Sequence, residues 1–433
     1  MLAGIGVSSI DELFSGITAD IRVKGLLDLP PALSEPEAVA LLGSLAAANT
    51  GADRLACFAG AGAYDHYIPA IVDTIISRPE FYTAYTPYQA EVSQGTLQAI
   101  YEFQSLVCRL YGMEVANASM YDCATALAEA MHMCRDITHR TKVLVASSVN
   151  PNHVEVIRTY AHGLDIPLEA VPLAGNTIDP VALEKMCDAE TAALIIQHPN
   201  FFGNLEPVRK ASEIAHKAGA LLVVSADPIS LGAIEPPGAY DADVAVGDGQ
   251  PLGLPLSFGG PYLGIMTAKR KFIRNLPGRI VARTADVDGK TGYVLALQTR
   301  EQHIRRERAS SNICTNQALC ALAASVYLST MGRTGIAEVA RQSMAKAHYL
   351  AAEIAHVPGF ALETEAPFFK EFTVRTPKPA AAVIEAGIRL GILAGVDLGK
   401  FDKAWQNRLL VAVTEKRTRA ELDAYLAFLR NVK

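Results

Sequence analysis

The spacing of apolar and polar positions changes character near residue 96. Ahead of that point the chain shows two helix starts. Ser8-Ser9-Ile10-Asp11-Glu12-Leu13 sets polar residues before an apolar one, and Ser34-Glu35-Pro36-Glu37 precedes A-V-A-L-L-G-S-L with proline in the first turn. Residues 51 to 95 have little periodicity and many aromatics, which marks a functional or interfacial loop. Beyond 96, short apolar runs alternate with amphipathic ones. T-K-V-L-V-A-S (141–147), T-A-A-L-I-I-Q (191–197), G-A-L-L-V-V-S (219–225), D-V-A-V-G (243–247) and Y-L-G-I-M-T (262–267) read as strands, and Pro180–Cys187 and Pro207–Ala218 as helices between them. This alternation predicts an α/β fold with a mainly parallel sheet and helices on both faces. Ligands of such sheets sit beyond the carboxyl ends of the strands.

Helices follow near 316–331 and 334–356. The tail then holds a strand at E-F-T-V-R (371–375), a helix near 380–390, a strand at L-L-V-A-V (409–413) and a last helix opened by Thr414-Glu415. The expected organisation is an N-terminal helical segment (1–60), a large α/β domain (61–330) and a small C-terminal α+β domain (331–433).

Composition narrows the class. The 433 residues are half apolar and 19% charged, with a net charge of -6. That is an ordinary globular balance, and it argues against a broad nucleic-acid footprint. No run approaches the ~18 apolar residues of a membrane span, and the first residues lack the cationic leader of a signal peptide. Seven scattered cysteines without a CxxC pair suit reduced cytoplasmic thiols better than disulfides or a zinc site, so no metal is expected.

Six stretches carry candidate chemistry. Between Asp241 and Gly264 a strand, a Gly-rich bend and a return strand place Gln250 at the bend, and a carboxamide has no nucleophilic amine. Ser119 with Asp122 reads as a capping box, and the free amides of that helix start, near Thr125, could also cradle a phosphate, although Asp122 would repel an anion. Asp227, before Pro228 at a strand end, is a turn carboxylate or a partner for a cationic ring nitrogen. His198 could stack, donate a proton or be a hydrogen-bonded loop residue. Tyr85, Tyr88, Gln89 and Glu91 form an aromatic-polar run suited to an interface or a flat ring. The run from Thr299, Arg300 and His303 to Ser311, Asn312 and Thr315 packs cations beside hydroxyls and suits an anion, or else is a solvated face.

The runs F-A-G-A-G-A-Y-D-H-Y-I-P (58–69), Y-T-P-Y-Q-A-E-V-S-Q-G (85–95), N-A-S-M-Y-D-C-A-T-A (117–126), H-P-N-F-F-G-N-L-E (198–206), F-G-G-P-Y-L-G (258–264) and L-A-L-Q-T-R-E-Q-H-I-R-R-E-R-A-S-S-N-I-C-T (295–315) resemble, in order, the glycine dehydrogenase (decarboxylating) family, the glycine cleavage P-proteins. The best match is the N-terminal half that some bacteria make as subunit 1. The resemblance implies a fold-type-I pyridoxal-phosphate enzyme body. It implies that glycine loses carbon dioxide on that cofactor and that the aminomethyl group passes to the lipoyl arm of the H-protein. It also implies that the lysine binding the cofactor covalently belongs to the partner, subunit 2, in an α2β2 assembly. Gln250 at the lysine's place agrees with that division, and Cys123 replaces a glycine expected in the phosphate loop.

On this reading Tyr85, Tyr88, Gln89, Glu91, Thr299, Arg300, His303, Ser311, Asn312 and Thr315 complete the partner's site. Ser119, Asp122, Thr125, His198 and Asp227 line a vestigial one, and no primary amine of this chain is expected to reach a cofactor. The alternatives are a scaffold or H-protein docking subunit, and a self-sufficient enzyme using another lysine such as Lys269.

Overall fold

The computed structural model describes residues 1–309, 311–364 and 366–432. It divides into two units, Met1–Gly51 and Ala52–Lys433. The first holds a short helix Leu2–Ile5, a tight 3-10 turn Asp11–Phe14 and a helix Glu35–Ala47, and none of these elements buries a side chain. Ser34 and Glu37 form the expected capping box. The start at Ser8 yields only the 3-10 turn, because Gly16 follows before any apolar repeat is established.

The second unit is built on a seven-stranded sheet of β1 (Val115–Ala116), β2 (Lys142–Ala146), β3 (Leu168–Val171), β4 (Thr191–Gln197), β5 (Leu221–Ser225), β6 (Val244–Asp248) and β7 (Gly264–Ala268). Their spatial order is β1-β7-β6-β5-β4-β2-β3. The five central and outer strands from β6 to β3 pair in parallel, and β7 runs antiparallel to both neighbours. The inner parallel strands β2, β4, β5 and β6 are near-continuous apolar runs because helices cover both faces. Packed against them are α1 (Gln94–Tyr111), α2 (Cys123–Thr138), α3 (Pro151–His162) and α4 (Val208–Lys217). Asp122, not Ser119, caps α2: its carboxylate accepts from the Thr125 amide at 2.8 Å. Asp122 and Thr125 bond reciprocally, which leaves Ser119 outside the box.

Helix α5 (Ala318–Ile354) merges the two helices expected near 316–356 across a kink at Gly332, whose φ of 57° and ψ of -173° break the helical run. The helix crosses the expected 330/331 boundary, so the two regions share one structural rod. A second core gathers β8 (Ala361–Leu362), β9 (Glu371–Arg375), β10 (Val396–Asp397), β11 (Arg408–Ala412) and α6 (Arg419–Arg430). The strand Ala56–Cys57, expected within the N-terminal helical segment, pairs in parallel with Ile392–Leu393 and so belongs to this C-terminal core. Helix α6 begins after Thr418, which caps it with Glu421. Thr414, the expected start, instead donates its hydroxyl to the Asp65 carbonyl at 2.8 Å.

These connections set the strand ends Gln197, Ser225 and Asp248 against the entry of β9, where Lys370 and Glu371 leave the chain inward. Among the described residues no helix is long and apolar enough to cross a membrane, and no cluster of three His, Cys, Asp or Glu could hold a metal.

Candidate functional site

The carboxyl ends of β4, β5 and β6 meet residues 62–64, α2, α3 and the start of β9 around one small cavity of about 40 Å³. Its centre is an ammonium. Lys370 Nζ lies 2.7 Å from Asp227 Oδ2, with the lysine side chain buried and the carboxylate nearly so. It donates to His66 Nε2 at 2.9 Å and sits 3.5 Å above the Tyr64 ring centre. The other His66 nitrogen faces Glu415. A chain of carboxylate, ammonium, imidazole and carboxylate therefore runs through the pocket. Asp227 is also a turn carboxylate, accepting from the Ile229 amide at 3.0 Å, and the cation it meets is the Lys370 ammonium rather than a ring nitrogen. Lys370 thus brings a primary amine of this chain into the pocket, where it is paired with Asp227.

Gln250 is fully buried and holds the backbone of Tyr64 from both sides. Its Oε1 accepts from the Tyr64 amide at 2.8 Å, and its Nε2 donates to the Tyr64 carbonyl at 3.0 Å and the Leu254 carbonyl at 2.9 Å. Only a group that both donates and accepts can do this, so the carboxamide has a structural role of its own.

The start of α2 is occupied by carboxylates. Asp248 accepts from the Cys123 amide at 3.3 Å and the Gln250 amide at 2.9 Å, while Asp122 takes the Thr125 amide. Burial pushes the Asp248 carboxyl up to about 7. Ser119 points elsewhere, its hydroxyl accepting from the Gln317 amide and the Asn316 side chain at 3.1 Å each. Pyridoxal phosphate does not fit these surroundings: the amides that would cradle its phosphate are taken by anions, Lys370 fills the space beside Asp227, and the cavity is far below the several hundred Å³ usual for ligand pockets.

His198 is a loop histidine. Its Nδ1 accepts from the Glu206 amide at 3.0 Å, its ring meets Tyr240 edge-on, and burial lowers its pKa to about 4. Lys269 lies at the opposite end of β6, paired at 2.8 Å with both Asp241 and Asp243, and does not reach the pocket. Sequence reasoning missed Tyr64, His153, Lys370 and Glu371. His153, in the first turn of α3, lines the cavity and has a buried Nδ1 with no partner among the described residues. Its position just after a strand end was the available signal. For Lys370 the signal was a charged pair inside the apolar run F-F-K-E-F.

A second cavity, of about 230 Å³, gathers residues far apart in sequence. Tyr85, Thr86 and Pro87 from the aromatic loop line it with Arg279, Thr315 and Asn316. Tyr85 and Tyr88 are largely exposed, with their ring centres 6.4 Å apart. Arg279 is only 6% exposed, its guanidinium 5.7 Å from the Tyr88 ring centre, and among the described residues it has no ion-pair partner. Thr315 is exposed and its hydroxyl lies 3.3 Å from that of Tyr121.

The rest of that polar run divides. Arg300 turns inward, against the expectation of an anion-facing cation: it is buried and its guanidinium donates to the carbonyls of Leu276, Gly278 and Leu297. Ser311 is half-buried, its hydroxyl accepting from the Ile313 amide at 3.0 Å; nearby, burial pushes the Glu129 carboxyl up to about 7. Thr299, His303, Asn312, Gln89 and Glu91 are exposed.

The family model for glycine cleavage system P-proteins matches residues 1–429. The chain is 55% identical over 436 residues to the probable glycine dehydrogenase (decarboxylating) subunit 1 of Chlorobium phaeobacteroides, covering all of this chain and 97% of the relative. The subunit 1 of Chlorobaculum parvum is 54% identical at the same coverage. A crystal structure of the glycine cleavage P-protein glycine decarboxylase, in inhibitor-bound form, superposes with a TM-score of 0.91 at 43% identity, covering 100% of this chain and 97% of that one. Likeness to a Lactobacillus brevis glutamate decarboxylase, with a TM-score of 0.68 at 12% identity, speaks for the fold alone, which is that of the fold-type-I pyridoxal-phosphate enzymes. The chain thus belongs to the glycine cleavage system P-protein family.

Proposed function

We propose that this chain is subunit 1 of a two-subunit cytoplasmic glycine decarboxylase and completes a site centred on its partner, subunit 2. Glycine is decarboxylated with pyridoxal phosphate held covalently by that partner, and the aminomethyl group passes to the lipoyl arm of the H-protein. The cofactor supplies the electron sink for loss of carbon dioxide. The observation that carries this reading is the meeting of Tyr85, Arg279 and Thr315 in one open groove, while the chain's own pocket is filled by Lys370.

Each groove residue has a task that its chemistry suits. Arg279 is nearly buried and has no carboxylate partner among the described residues, so its guanidinium is preorganised for an anion such as a phosphate or a substrate carboxylate. Thr315 offers a hydroxyl donor to the same anion. Tyr85 and Tyr88 present flat, partly apolar faces that exclude water from a bound ring. An α2β2 assembly gives each partner one such groove.

Reconstitution with subunit 2 and H-protein, followed by glycine–carbon dioxide exchange, tests the proposal. Thr315→Ala and Tyr85→Ala are expected to lower exchange by roughly 10²-fold, the scale of a lost positioning contact, with the two subunits still co-eluting. Full exchange activity in both variants would remove the groove from the active site and leave this chain as a scaffold.

A further inference from the structure

The pocket at the strand ends is closed by the chain's own cation, and that closure has a structural consequence. Asp227 follows the end of β5 in the sheet, whereas Lys370 enters β9 in the C-terminal core. Their ion pair therefore ties the two cores together at the place where ligands of such sheets bind. It does not act alone. The Glu371 carboxylate accepts from the Ala61 amide at 2.7 Å and the Tyr64 hydroxyl at 2.6 Å. Asp65 pairs with Lys416 at 2.7 Å and with the buried Arg417 at 2.9 Å.

We propose that Lys370 is the permanent occupant of this pocket: its ammonium takes the cationic seat beside Asp227 that a cofactor's ring nitrogen would need, so that the former ligand site serves as a latch between the sheet and the C-terminal core. A buried carboxylate without a cation is strongly destabilising. A chain that does not bind the cofactor must cover Asp227 in another way, and Lys370 does so with a charge-assisted contact, a hydrogen bond to His66 and a cation–π contact to Tyr64. All three contacts are made to the ammonium, which has no lone pair to attack a carbonyl. Lys370 is accordingly an occupant and not a substitute for the missing nucleophile. The inference does not depend on a partner subunit, and its test reads no catalytic activity.

The test is a double-mutant cycle in the full chain, Lys370→Met and Asp227→Asn, followed by thermal unfolding, with borohydride trapping of the wild type in pyridoxal phosphate as the second arm. Each single variant leaves one buried charge unpaired and is expected to lower Tm by about 5 °C or more. The double variant is expected to regain at least half of the summed loss. If a single variant is insoluble while the double variant is soluble, the same coupling is read from solubility. The wild type is expected to carry no phosphopyridoxyl group on any pocket residue. Additive losses in the cycle, or a phosphopyridoxyl adduct on Lys370, would overturn the proposal.

Discussion

Glu371 accepts a hydrogen bond from the Tyr64 hydroxyl at 2.6 Å and thereby joins the first residue of β9 to the loop that follows the strand Ala56–Cys57. The carboxyl is fully enclosed. Burial pushes it up to about 7, against the Ala61 amide, the Tyr64 hydroxyl and the Lys370 charge, which favour the anion, while Asp227 adds to the rise. A carboxyl whose folded pKa stands above its unfolded value binds protons more tightly when folded. Its contribution to stability is complete below about 4.5 and is lost as pH climbs through 7. Asp248 behaves in the same way. Unfolding free energy is therefore expected to fall between pH 5 and pH 8, and Glu371→Gln to flatten that decline. Denaturant midpoints across this range check it, and an unchanged slope in the variant would count against it. The neutral buried imidazole of His198 acts with opposite sign: its contribution is present above about 6.5 and lost as pH falls toward 4.

The loop His198–Glu206 docks on the same strand entry through a position that only glycine can fill. Gly203 has φ of 88°, and a Cβ there would lie 2.0 Å from the Glu371 carbonyl oxygen. Gly203→Ala combines left-handed backbone strain with a clash against main chain. It is expected to destabilise the protein by roughly 3 kcal/mol or more. Urea unfolding measures this, and a loss under 1 kcal/mol would mean that β9 shifts away at little cost.

How legible these features were in the sequence varies with their length and range. The five strands β2, β4, β5, β6 and β7 were readable because runs such as T-A-A-L-I-I-Q are apolar on both faces, as a covered parallel sheet demands. The edge strands Val115–Ala116 and Leu168–Val171 were not, since two to four residues with one wet face leave no period to detect. In the site, Asp227 and Gln250 were recognisable by position at strand ends. Lys370 was not, because what gives it meaning is a carboxylate on another element brought near only by the fold. Arg300 misled for the converse reason: it sits in a run of exposed cations, yet tertiary packing turns it toward three carbonyls.

That inward turn makes Arg300 a support for the groove wall. Leu276 and Gly278, whose carbonyls it holds, lie three residues and one residue before Arg279. Arg300→Ala would strand buried acceptors at roughly 1–3 kcal/mol each, so a Tm loss is expected together with weakened exchange. Arg300→Lys should recover only part of either, because an ammonium cannot reproduce the planar fork. Full recovery by lysine would show that charge alone is required.

Arg279 itself should separate from Arg300 in experiment. It lines the groove with Thr315, is almost enclosed, and has no ion-pair partner among the described residues. A guanidinium held in this way is stabilised by whatever anion it meets, so its removal relieves an unpaired charge in the free subunit while depriving the assembled enzyme of a contact. Arg279→Gln is therefore expected to leave the Tm of the isolated chain unchanged or slightly raised. In the reconstituted complex it should lower glycine–carbon dioxide exchange by about 10²-fold, the scale of losing one preorganised electrostatic contact. It should also weaken the complex's retention of pyridoxal phosphate on dialysis if the anion is the cofactor's phosphate, or raise KM for glycine if it is the substrate's carboxylate. A variant with normal exchange, retention and KM, and a lower Tm, would show that Arg279 only packs against Tyr88.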